Sequence, residues 1–208
     1  IRRLLTLAAA SNTIVVVLEG TKSHDRGQNV RFVANRDALI NAGQDVAELH
    51  YVEEPSILRL DKLGIDVLMI PDNCFSTAAD GEAIVTNLLK QAGLEQVDYS
   101  IMHGMFRFQA PKGIQHIAND AHREEFYLGI TRKMIAIGHV HTAMSFDRIH
   151  GQGSFDRTAH GQEEKKGFIS FENLEEGFTA TFIENKDAMT YLTIPLVSDD
   201  IEIGRAHV

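Results

Sequence analysis

A chain of 208 residues, 44% hydrophobic and 24% charged, is long enough for one large domain with its own core. Its net charge of −9 argues against gripping nucleic acid by charge alone. No apolar run approaches the roughly 20 residues of a membrane span, and no basic-then-apolar leader opens the chain. A single cysteine, Cys74, excludes an internal disulfide framework, so a reducing, cytoplasmic home is expected.

The chain opens at Ile1 in what reads as the end of a helix over 1–10, with Leu4, Leu5 and Ala8 on one face. TIVVVLEG is a β-branched run closed by Gly20, the pattern of a buried parallel strand. A polar loop over 20–30 precedes a predicted helix over NRDALINAG, stopped by Gly43. VAELHYVE reads as a strand, and ILRLDKLGIDVLMIPDN as two strands about Lys62–Gly64 that end at Pro71. Residues 79–92 have helical spacing and stop at Gly93. DYSIMHG is a short strand, 105–119 is looser, AHREEFYLGI is a predicted helix, and KMIAIGHVH is another strand. From about 145 a Gly-rich polar loop is expected, then three antiparallel strands near GFISFEN, FTATFIE and MTYLTIPL. The chain reads as α/β followed by β.

Three of these strands end in histidine. IVVVLEG leads to His24, YSIM to His103, and MIAIG to His139 and His141. In open α/β sheets ligands bind outside the carboxyl ends of the strands, so four imidazoles are expected to converge on one edge. Neutral imidazole is a common ligand for Zn, Mn and Fe, and two such ions can clamp a phosphate and activate water. In an extended GHVH, both imidazoles fall on the same side.

GTKSHD, MHG and GHVH, in this order, resemble the last three motifs of the calcineurin-like metallophosphoesterases. GSFDRTAHGQEEKKGFISFEN after GHVH is similar to the return strand of the SbcD-type DNA nucleases, which include bacteriophage recombination endonuclease subunits. The resemblance implies an α/β fold of the calcineurin-like metallophosphoesterase sandwich type, with central β-sheets flanked by helices. The nuclease domain would span 1–196, missing its first strands, and 197–208 would be a C-terminal tail. It also implies two divalent metal ions, most simply Mn2+, with Mg2+, Fe2+ or Zn2+ as alternatives. His103 and His139 would ligate one metal and His141 the other, and Ser23 stands where the family has an asparagine ligand. His24 would assist the leaving oxygen with Asp25 behind it.

The implied substrate is DNA, as double-stranded ends, and the implied partners are an SMC-like ATPase subunit and a second copy of the chain, with no membrane. A metallophosphatase on small phosphoesters or nucleotides shares the same motifs, and a non-catalytic binding relic is the third reading. The family's N-terminal D-x-H and G-D motifs do not precede GTKSHD, so this chain is not expected to assemble the full two-metal site alone. Asp120-Ala121-His122 spells D-A-H but lies on a predicted helix, where the two side chains splay apart.

Phe106, Arg107 and Phe108 could stack on a base, although loop packing is the plainer reading. Arg148, Arg157, Lys165 and Lys166 read equally as a DNA path or as solvated charges. His50, His116, His122, His150 and His160 lack the strand-end context and are expected to be structural or on the surface. Cys74 is expected to be an inert loop thiol.

Overall fold

The structure is a computed structural model that describes residues 1–21, 27–72, 74–113, 115, 118, 121–174 and 177–192. Its centre is a six-stranded mixed sheet in the order β3-β4-β5-β6-β8-β7. These strands are β3 (Ser56–Leu60), β4 (Ile65–Ile70), β5 (Val97–Gly104), β6 (Thr131–His139), β7 (Met144–Phe146) and β8 (Ile149–Gly151). β4, β5 and β6 run parallel, as does β8 beside β6, while β3 and β7 close the two edges antiparallel. Two smaller units stand apart in hydrogen bonding. β1 (Val15–Leu18) pairs parallel with β2 (Leu49–Val52), and β9 (Gly167–Leu174) pairs antiparallel with β10 (Gly177–Glu184).

Alternation along the strands sorts the core into layers. Val15 and Val17 of β1 pack with Leu49 against Leu5 of α1 (Arg2–Ala10) and Leu39 of α2 (Arg31–Asn41). Val16 and Leu18 point the other way, onto Val67, Met69, Tyr99 and Ile101 of the large sheet. The far face of that sheet, through Leu68, Ile70, Met102, Ile135 and Ile137, buries Val85 and Leu89 of α3 (Ala78–Ala92) and Tyr127 of α4 (Glu124–Ile130). The order of layers is therefore helices, small sheet, large sheet, helices, which is a mixed α/β architecture. Thr77 caps α3 by accepting the Asp80 N–H at 3.2 Å, and Gly93 ends it in the left-handed conformation. No described helix is long and apolar enough to cross a membrane.

Several expectations need correction. The segment after 145 begins not as a loop but as the β7–β8 hairpin, whose Ile149 is wholly buried beside Ile135. Gly and polar residues around one buried isoleucine hide so short a strand from pattern reading. The helix expected over 121–130 begins at Glu124, because His122 pairs with Phe106 in an isolated bridge and donates its N–H to Met105 O at 2.8 Å. Asp120 and His116 lie outside the described residues, so the D-A-H triplet is described only at Ala121 and His122. α2 starts four residues earlier than expected. Of the third C-terminal strand, residues 189–192 are not in a strand, and the rest lies outside the described residues.

A polar latch holds the amino ends of the three central strands. The Asp66 N–H of β4 donates to Asp98 Oδ2 of β5 at 2.9 Å, and Arg132 Nε of β6 donates to Asp98 Oδ1 at 3.2 Å. Arg59 of β3 completes it at 2.8 Å from Asp66 Oδ2. Burial pushes the Asp98 carboxyl up, but the Asp66 amide and Arg132 outweigh it and hold it below the usual carboxylate range. A depressed folded value stabilises the fold above the unfolded value of about 3.9, and the gain is lost as pH falls through the folded one. Asp98→Asn is therefore expected to cost about 1–2 kcal/mol in urea unfolding near pH 7. The difference from wild type should shrink at about pH 3. An equal difference at both pH values would refute the latch.

Candidate metal centre

The parallel pairing carries three strand ends to one place. β5 and β6 pair so that His103 lies opposite Gly138 and Gly104 opposite His139. One strand further along, β4 ends at Ile70 opposite Met102 and delivers Pro71 and Asp72. The carboxyl end of β1 joins them, because the Asp72 N–H donates to Glu19 O at 3.3 Å. Thr21 follows two residues after Glu19.

Asp72, His103 and His139 each offer a ligand atom within 4.8 Å of the others. His103 Nδ1 is 2.9 Å from Asp72 Oδ1. The His103 and His139 rings meet edge to face, centroids 5.2 Å apart. His139 Nδ1 is 3.3 Å from Thr21 Oγ1, and Thr21 also hydrogen-bonds Asp72. Burial alone would raise the Asp72 carboxyl. The hydrogen bonds from His103 and Thr21 hold it below its ordinary value.

The carboxylate sets the tautomer of His103. An ionised carboxylate only accepts, so His103 carries its proton on Nδ1 and leaves the Nε2 lone pair open. The Thr21 hydroxyl lies against His139 Nδ1 and holds that ring beside His103. A carboxylate fixing a histidine by the nitrogen opposite the ligating one is the arrangement found behind metal-bound imidazoles. Two imidazoles, one of them backed by a carboxylate, make a set that fits Zn2+, Mn2+ or Fe2+.

His139 itself is strained. Its φ of +109° is uncommon for a residue with a side chain and typical of positions held for function. Gly104, at φ +135°, is the counterpart on β5, since a Cβ there would stand 2.9 Å from His122 Nε2.

Two cavities flank the pair and share Thr21, His103 and His139. One, of about 200 Å³, extends to Asp72, Cys74 and His122. The other, of about 310 Å³, extends to His141, Ser154 and Phe155. Together they make an open groove across the strand ends.

Of the residues expected at the site, His103 and His139 come together, and His141 lines the adjoining cavity without entering the cluster. Ser23, His24 and Asp25 lie outside the described residues. Asp72 was missed, because PDN after a strand reads as a terminator. Its position directly past an apolar run, like that of His103, was the available signal.

The remaining expectations sort as follows. His122 is buried, as a structural histidine should be, yet it also walls the cavity, its ring held among Phe75, Phe106 and Tyr127. His50 pairs with Glu48, and His160 lies against Tyr191. Phe106 is wholly buried and unable to stack on a base. The four cations suggested for a DNA path are engaged elsewhere. Arg148 donates to the carbonyls of Leu128, Thr131 and Arg132, and Arg157 to those of Gln162, Glu164 and Met189. Lys165 pairs with Glu184, and Lys166 is buried.

Comparison with family models, with curated proteins and with solved structures gives no match to this chain.

Loss of a carboxylate behind or within a metal site costs about 10–100-fold in affinity. Asp72→Asn is therefore expected to weaken Zn2+ or Mn2+ binding by that factor in calorimetry, and His103→Ala to abolish it. Binding unchanged in both variants would remove the centre.

Proposed function

We propose that the chain is a metal-dependent phosphodiesterase of the calcineurin-like metallophosphoesterase class, acting on DNA in the manner of the SbcD-type nucleases. The observation that carries this reading is the convergence of Asp72, His103 and His139 on one edge, beyond parallel strands. The layered order of helices around two sheets agrees with the sandwich expected of that class.

Held there, a divalent ion would polarise a phosphoryl oxygen and lower the pKa of a bound water toward neutrality. The protein's own part is to hold the ligands ready. Asp72 orients the His103 ring and leaves its Nε2 lone pair for binding, and Thr21 lies against the ring of His139. The groove on either side leaves room for an extended phosphodiester. In this reading His24, supported by Asp25, protonates the leaving oxygen, and Ser23 belongs to a second ligand set.

With Arg148, Arg157 and Lys166 tied to carbonyls within the fold and Lys165 paired with Glu184 at the surface, the net charge of −9 is offset at the groove chiefly by the metal. DNA ends, an SMC-like ATPase subunit and a second copy of the chain follow as proposed partners from the same resemblance.

The test gives manganese-loaded protein linear double-stranded DNA, single-stranded DNA and an aryl phosphate diester. Manganese-dependent hydrolysis of DNA, reduced at least about 100-fold in His139→Ala, supports the reading. Hydrolysis of the aryl ester or of nucleotides alone favours the small-substrate phosphatase, and metal binding without hydrolysis of any substrate favours the relic. The described residues form one candidate metal set, so one manganese per chain is expected from them. Two tightly bound ions with full nuclease turnover would instead support the two-metal site that the resemblance implies.

A further inference from the structure

The histidine left outside the cluster has the most elaborate support of the three. The His141 carbonyl accepts from Ser154 N–H and from Lys166 Nζ, each at 3.1 Å. The Lys166 side chain is fully buried and pairs with Glu164 Oε1 at 2.6 Å. Burying an ammonium is costly unless its partners are well placed, so this one marks a segment that must not move. Gly153 packs against the same turn, and at φ +76° a Cβ there would stand 2.8 Å from His141 O. The backbone of His141 is clamped, and its exposed ring faces the larger cavity beside His103 and His139.

The ring is also oriented. His141 Nδ1 lies 3.2 Å from Gln162 Nε2. Which end of the amide faces it is decided from the other side, where the Thr158 backbone N–H points at Gln162 Oε1 at 3.0 Å. A backbone N–H only donates, so the carbonyl end of Gln162 belongs there and its NH2 faces His141. That NH2 can only donate, and it also reaches Thr158 Oγ1 at 3.3 Å. His141 Nδ1 must therefore accept, and the neutral ring carries its proton on Nε2.

We propose that Gln162 is a positioning residue that presents His141 Nε2–H to a phosphoryl oxygen of the substrate, outside the metal's ligand set. His103 faces an acceptor at Nδ1 and offers the lone pair of Nε2. His141 faces a donor and offers a proton. An N–H beside a metal suits an anionic oxygen on which charge grows during phosphoryl transfer. This role rests on the phosphodiesterase reading of the site. It departs from the resemblance, which implies His141 as a ligand of a second metal.

Long-range 1H–15N spectra of histidine-labelled protein test it without any turnover, with Zn2+ as a diamagnetic ion. Before metal, His141 should show protonated Nε2 and bare Nδ1, and His103 the reverse. One equivalent of Zn2+ should move Nε2 of His103 and His139 and leave His141 in place. Inorganic phosphate added to the zinc-loaded protein should then shift His141 Nε2–H. In Gln162→Glu the facing group becomes an acceptor, so His141 Nδ1 should gain a proton, and Gln162→Leu should relax the preference at unchanged Tm. Zinc coordination by His141, no response to phosphate, or a tautomer indifferent to Gln162→Glu would each overturn the proposal. If His103 and His139 ignore zinc, the phosphodiesterase reading fails instead, and the metal-free tautomer of His141 still decides the role of Gln162.

Discussion

The parallel register of β4, β5 and β6 is the constraint on which the site depends. Ile70 lies beside Met102, Met102 beside Ile137, and His103 beside Gly138. Asp72, His103 and His139 are the residues that follow these rows off the sheet. A slip of one residue would carry every side chain of the slipped strand to the other face. His103 would then turn toward α3 and α4, away from Asp72. Leu68 and Met69 are successive residues and both are wholly inaccessible to solvent, so apolar burial alone does not resist the slip and the contacts at the strand ends must.

Polar contacts fix those ends. The Arg59–Asp66–Asp98–Arg132 latch lies at the starting ends of β4, β5 and β6, and the Asp72–His103–Thr21–His139 cluster at their finishing ends. A directional bond to a carboxylate is satisfied in one register only, whereas an apolar row tolerates small shifts. The two polar groups thus pin the same three strands from opposite edges, and the second lines a groove.

The central elements were legible because their signals agreed. β4, β5 and β6 are apolar runs of strand length, and α3 combines helical spacing with Thr77 before it and Gly93 after it. What failed was local in one sense and long-range in another. Arg148, Arg157 and Lys166 look like surface cations in one dimension, but each is consumed by carbonyls or carboxylates far along the chain. Phe106 reads as a loop aromatic until Tyr127 and His122 close around it. Asp72 carried no sign of its partner, since nothing in PDN says that a histidine 31 residues later will lie 2.9 Å away.

GHVH shows most clearly where spacing stops being informative. Period-two reasoning places both histidines on one side, and it holds only while the strand stays extended. β6 ends at His139 with φ +109°, and from there the chain turns under the Lys166 and Ser154 clamps. The two imidazoles therefore reach the groove by different routes and meet different neighbours. Their chemistry follows from those neighbours and not from the motif. A carboxylate draws a proton to Nδ1 of His103, while an amide NH2 drives the proton of His141 to Nε2. Identical side chains at one strand edge thereby meet different partners, and the partner, not the motif, decides which nitrogen each can offer.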